Sequence, residues 1–571
     1  MLSHSFLTEF YRRFLGFDQG ADARQTRLWL WFCGSMLYAL ACGGLALRQA
    51  FAADYVLADD VRQHVFWMFR FLDPALFPND PIADYFQSIA PPGFSALYRA
   101  LAVLGIDPLF ASKVIPLPLG LLTVAFFFGA AMRLLRSARA ASLAAVLLCQ
   151  CLWLSTDLCS ATPRAFFYPF FCAFLYCQVT NRQAAGLIAI FLQGLFFPPG
   201  ALVSLGIVAL SLLSFSQHRP VLVRRAQPYL FFIAACAAVV LPTLLYLRAA
   251  QKFGPITSYS AAQQMTEFAP GGRVPFFYPD LWNCWMHGAG GLHIQSRPSW
   301  LFAAFLWPLL ACFPRQFPLL HRFRHARKFL LQIALSALLL FAAAHLLLFR
   351  LYLPSRYTQH PSRILFAVAA AGAITALLDF FLRWAASRSF KAAPVLVTLF
   401  LLWIVCFPVF LSRFPRVGYI EGNAKNLYQF FAKQPPSIRI ASIADEANNL
   451  PSFCRRTIIF GVETAVPFHP GYYLPLRDRG LAIARAQYSP DLAVVQQCIR
   501  DQGIDFWLLD RGAFTAEHVH ANRALRQLRE TITLSDRTPP FLQHPPPECV
   551  AFANPQFVVV DARAVLALNR D

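Results

Sequence analysis

Long apolar runs alternate with short, arginine-rich polar stretches over the first 412 residues of this 571-residue chain. A bilayer core of about 30 Å takes roughly 20 apolar residues as a helix. About eleven runs suit that role, near 28–47, 109–132, 140–157, 165–179, 184–197, 200–215, 228–247, 300–313, 329–349, 364–383 and 394–412. The stretch between the first two follows a different period. Val65, Phe66, Phe69 and Leu72 share one helical face, with Arg62, Gln63 and Arg70 elsewhere, and 95–105 repeats the pattern. Both predict interfacial helices on the outer leaflet, with tryptophan and phenylalanine at headgroup depth. Pro91-Pro92-Gly93 breaks the chain between them. After residue 412 the apolar runs shorten to 438–443, 457–460, 506–509 and 557–560, separated by polar or helical stretches. These predict strands of a small α/β domain over 413–571.

The predicted fold class is therefore a polytopic α-helical membrane protein with a small C-terminal α/β domain outside the membrane. Composition agrees: 57% of residues are hydrophobic and 14% charged, with mean hydropathy +0.48, against about 25% charged in soluble domains. No short apolar region with a small-residue cleavage site stands near Met1, so the first run is expected to stay as an anchor. The net charge of +21 gathers in the loops. Arg12, Arg13, Arg24 and Arg27, then Arg133, Arg136 and Arg139, Arg219, Arg224 and Arg225, Arg315 to Lys328, and Arg383 to Lys391 all fall on one side if the N-terminus is cytoplasmic. Topology thus accounts for the charge without nucleic acid. The expected organisation is a cytoplasmic segment 1–27, a transmembrane domain 28–412 with outer helices over 54–106 and an outer loop 249–299, and a periplasmic or extracytoplasmic 413–571. Most of the fourteen cysteines lie in apolar runs, where cysteine acts as a small hydrophobe. Cys454, Cys498 and Cys549 leave room for one disulfide.

Residues 57–135 place Asp59 and Asp60 just after the first run, Pro91-Pro92-Gly93-Phe94 beyond them, and a second run closed by Arg133 and Arg136. This arrangement, over about eighty residues, resembles the GT-C superfamily of integral-membrane glycosyltransferases. It resembles most the branch of protein O-mannosyltransferases and lipid A aminoarabinose transferases. Relatives often carry lysine before the Pro-Pro and tyrosine soon after, where this chain has Ala90 and Phe94, and an Asp-Glu rather than an Asp-Asp pair. The resemblance implies a GT-C-like body. It also implies transfer of a sugar from a polyprenyl-phosphate-linked donor to a lipid, glycan or protein acceptor at the outer face of the cytoplasmic membrane.

Such transfer needs a base for the acceptor and cations for the departing phosphate. Asp59 or Asp60 suits the first task, one as base and the other as support; the alternative is an N-cap for the helix that follows. His64, four residues after Asp60, shares its helical face. Arg356, His360 and Arg363 recur at i, i+4 and i+7, one cationic face matched to phosphate or, alternatively, snorkelling to headgroups. Arg164 is read as a second phosphate contact or as an ion-pair partner of Asp59 or Asp60. The glycines and aromatics of 249–299 suit a sugar-stacking lid or an interfacial belt. Asp379 and His345 fall within spans. His287 and His293 are six apart, poor spacing for a metal pair, and neither zinc nor another cofactor is indicated. Competing readings are a transporter or flippase of lipid-linked precursors, or a non-catalytic scaffold whose outer domain binds a partner. No inverted repeat or chain of mid-membrane carboxylates supports the transporter.

Overall fold

A computed structural model describes residues 21–216, 219–294, 297–526 and 538–568; Arg12 and Arg13 of the N-terminal segment lie outside the described residues. The protein is mostly helical and a multi-pass membrane protein. Among the described residues, six helices are long and apolar enough to cross a membrane: Leu28–Ala50, Pro108–Leu135, Ala226–Phe253, Ala326–Leu346, Ser355–Ser387 and Ala393–Phe410. The other five predicted runs coincide with helices too short to qualify. Gln183–Phe196 and Pro198–Ser211 have 14 residues each, separated at Phe197, about 21 Å of helix apiece. Pro198 and Pro199 enforce that break, because proline is tolerated in a first turn and disfavours helix just before it.

The outer segment is more deeply placed than its pattern suggests. It forms a four-residue helix, Val61–His64, a 3-10 turn, Phe66–Phe71, and two further helices, Pro81–Ser88 and Pro92–Val103. Asp80 caps the third, its carboxylate accepting from the Ile82 and Ala83 amides at 2.8 and 3.3 Å. Val65, Phe66, Trp67, Met68 and Phe69 are all buried within the protein. The face expected at headgroup depth instead packs against protein, because later segments of the chain fold over it.

Nine strands occur among the described residues. β1 (Val56–Ala58) pairs antiparallel with β4 (Tyr419–Glu421), and β2 (Leu213–Ser216) with β3 (Arg219–Leu222). The remaining five, β5 (Arg439–Ala441), β6 (Thr457–Ile458), β7 (Phe506–Asp510), β8 (Val550–Ala553) and β9 (Phe557–Asp561), form one sheet in the order β6-β5-β7-β9-β8. β5 runs parallel to β6 and β7, whereas β9 is antiparallel to β7 and β8. The sheet shares one continuous apolar core with the helical body. The 249–299 loop bonds to the segment after β6, Thr257 donating its amide to the Phe468 carbonyl at 2.8 Å and its hydroxyl to the Pro467 carbonyl at 2.6 Å. Cys454, Cys498 and Cys549 are free and buried, so the disulfide for which the sequence left room is not formed.

Candidate active site

Backbone pairing sets the acidic pair in place. The three residues of β1 are buried, and the ladder with β4 ends at Ala58, immediately before Asp59. The same strap reaches a second loop: the Arg416 amide donates to the Trp153 carbonyl at 2.8 Å, and the Cys159 thiol to the Val417 carbonyl at 2.8 Å. Residues 413–422 thereby hold the 59–60 turn and the 154–162 loop side by side.

Asp157 lies in that second loop and is 2% exposed. Its carboxylate meets Nη1 of Arg363, lies 3.2 Å from Nε of Arg164 and 3.4 Å from the Tyr168 hydroxyl. Burial pushes the carboxyl up, but the surrounding positive groups, Arg363 foremost, together outweigh it, and the group is held down at about 2. Arg164 also meets Asp60 through Nη2. A single guanidinium therefore bridges two carboxylates from separate loops. Asp60 stands at the N-cap position of its helix without a side-chain capping bond. Asp59 meets Nη2 of Arg62. Both carboxylates are engaged by arginine, so the capping role is taken up by neither.

Arg356, His360 and Arg363 occupy one helix, Ser355–Ser387, and the structure divides their roles. Arg363 and His360 are buried. The Tyr168 hydroxyl lies 2.9 Å from Nδ1 of His360, and Arg363 donates to the same hydroxyl. Nε2 of His360 is buried among the rings of Phe167 and Phe197, with no hydrogen-bond partner among the described residues. These two side chains point into protein instead of forming an open cationic face with Arg356. Arg356, half-buried, donates to the Gln359 side chain at 3.1 Å and has no carboxylate within ion-pair distance among the described residues. His64 packs edge-on against Phe86, and burial, followed by the charges of Arg356 and Arg273, lowers its imidazole to about 4.

Beyond Asp59, Arg62 extends the network, donating to Asn449 at 3.2 Å and lying 3.8 Å from Glu463. Glu463, buried, also pairs with Arg273 of the 249–299 loop at 2.7 Å and with Arg523 at 2.8 Å. Asp157, Tyr168 and Glu463 are absent from the sequence-derived site. The available signal was a carboxylate seven residues before Arg164 at the outer end of an apolar run. Among the described residues no group of three or more His, Cys, Asp or Glu is placed to hold a metal ion.

No family model matches the chain, and no curated protein matches it in sequence. Among solved structures it is similar to archaeal oligosaccharyltransferase AglB from Archaeoglobus fulgidus in complex with an inhibitory peptide and a dolichol-phosphate. The TM-score is 0.51 at 12% identity, over 87% of this chain and 72% of that one. The chain shares the fold of this oligosaccharyltransferase. The apo form of the Archaeoglobus fulgidus enzyme aligns with a TM-score of 0.48 at 12% identity, over 86% and 70% of the two chains. At this identity the likeness is one of fold alone. At 87% of this chain the likeness reaches past the helical part into the sheet-containing part.

Proposed function

We propose that the protein transfers a sugar from a polyprenyl-phosphate-linked donor to an acceptor at the outer face of the cytoplasmic membrane. The observation that carries this reading is the Arg164 bridge between Asp60 and Asp157 beside a cation, Arg356, that has no carboxylate partner among the described residues. In this reading Asp60 removes the proton from the acceptor nucleophile, which attacks the anomeric carbon. The bond from that carbon to the phosphate oxygen breaks, and the electron pair leaves with the phosphate. Arg356 and Arg164 take the developing charge, as guanidinium forks match phosphate oxygens. Asp157, Arg363, Tyr168 and His360 act behind them and fix Arg164. Asp59 orients Arg62, and His64, uncharged at neutral pH, lines the same corner.

The acceptor class, lipid, glycan or protein, is open in this reading, and residues 57–135 resemble the O-mannosyltransferase and aminoarabinose transferase branch. The test is reconstitution in vesicles with a labelled polyprenyl-phosphate sugar and a cell-envelope extract as acceptor. Label should move to the extract with wild type and not with Asp60→Asn. Movement of the labelled lipid between leaflets with no transfer would replace this reading with that of a flippase.

A further inference from the structure

At the opposite end of the helical body from Asp157 lies a cavity of about 900 Å³. The Ala138–Trp153 helix joins the two ends: its 16 residues lead from Arg136 to the Asp157 loop, about 24 Å of helix. The cavity opens among the ends of several helices. Met132, Phe231 and Phe329 furnish apolar wall, and Arg133, Arg136 and Lys328 furnish positive charge. No aspartate or glutamate lines it. All three cations are exposed, and none has an ion-pair partner among the described residues. Arg136 ends the Pro116–Leu135 helix in the left-handed region, φ 50°. Glycine or asparagine is favoured there, so the arginine costs backbone energy where it supplies a cation.

We propose that this cavity binds one anionic phospholipid, with the phosphate between Arg133, Arg136 and Lys328 and the acyl chains along the apolar wall. Three features point to a lipid in preference to a soluble anion. The site lies at the ends of membrane-crossing helices, its wall joins an apolar half to a polar, cationic half as a lipid joins chains to a headgroup, and its volume far exceeds what a bare phosphate fills. Basic pockets between membrane helices recognise headgroups in this way. The site is distinct from the arginine and carboxylate cluster around Asp157 and stands whether or not that cluster transfers sugar.

Native mass spectrometry of the full chain, purified in detergent and delipidated, tests it with three probes: phosphatidylglycerol, phosphatidylcholine and inorganic phosphate. Wild type should retain one phosphatidylglycerol per chain, at least tenfold more tightly than phosphatidylcholine, and inorganic phosphate should not compete at equal concentration. The Arg133→Gln/Arg136→Gln/Lys328→Gln variant should lose tenfold or more in phosphatidylglycerol affinity. Ser211→Trp, which fills the cavity and leaves the charges, should lose as much. Unchanged retention in either variant would overturn the proposal, as would equal retention of the two lipids or displacement by inorganic phosphate. If a variant fails to fold, the comparison of lipids on wild type still decides.

Discussion

Asp157 and Arg363 form a buried pair whose members depend on each other. Removing one partner of such a pair strands a charge and costs about 3–5 kcal/mol, whereas replacing both with apolar groups can be neutral. Asp157→Asn should therefore lower the melting temperature strongly, and Asp157→Leu/Arg363→Met should recover most of the loss without recovering transfer. Asp60→Asn removes a more exposed carboxylate, so it should leave the melting temperature nearly unchanged while transfer falls a hundredfold or more. Asp59→Asn should cost less, because Asp59 acts through Arg62. His64 supplies a pH dependence. Unfolded, it takes a proton near 6.5, whereas the folded site lowers this to about 4. The unfolded state binds more protons between those values, so stability falls as pH drops from about 6.5 to 4. His64→Gln should flatten the part of the melting-temperature profile in that window, and an unaltered profile would show the imidazole to be solvated. The Asp59-Asp60 pair stood out in the sequence because adjacent carboxylates are conspicuous after an apolar run. Asp157 did not, because a lone acid at a helix end reads as the edge of a span until tertiary structure supplies Arg363, 206 residues away.

The Ser355–Ser387 helix carries the basic residues of the site at one end and a tight helix contact further along. A Cβ added at Gly372 would lie 1.9 Å from the Trp307 ring, so the helix is glycine there because an indole occupies the side-chain position. Two effects oppose each other in Gly372→Ala. Alanine gains about 1 kcal/mol of helix propensity, and overpacking costs about 1–3 kcal/mol. We expect net destabilisation in a thermal melt, relieved by Trp307→Leu in the same chain; a stabilised single mutant would mean that the ring moves aside freely. The helices were legible as apolar runs, since a 3.6-residue period does not alter the composition of a buried segment. Their lengths were less so, because prolines such as Pro198 end a helix without interrupting the apolar run. The runs at 438–443, 457–460, 506–509 and 557–560 coincide with β5, β6, β7 and β9. β8 lies at the sheet edge, where its side chains alternate between half-buried and exposed; its four apolar residues, two of them alanine, are a weak strand signal and were not read as a strand.

What unites the molecule is a set of contacts between distant parts of the chain, and these the sequence could not display. Glu463 alone joins Arg62, Arg273 and Arg523 from three segments. The strap at 413–422 binds the Asp59 turn to the Asp157 loop, which puts the sheet-containing part at the same end of the body as Arg356. The Ser355–Ser387 helix has 33 residues, about 50 Å against a hydrocarbon core of about 30 Å. We therefore expect Ser389 to lie across the membrane from Arg356, among the arginines that the positive-inside rule assigns to the cytoplasm. Two single-cysteine chains, each in a background without the native cysteines, test this arrangement. Gln497 and Ser389 are both exposed, so Gln497→Cys and Ser389→Cys should perturb neither core nor site. A membrane-impermeant maleimide should label Gln497→Cys in intact spheroplasts, and Ser389→Cys only after lysis. The reverse pattern would invert the orientation and move the proposed transfer to the cytoplasmic face. Labelling of both before lysis would mean that the Ser355–Ser387 helix does not cross.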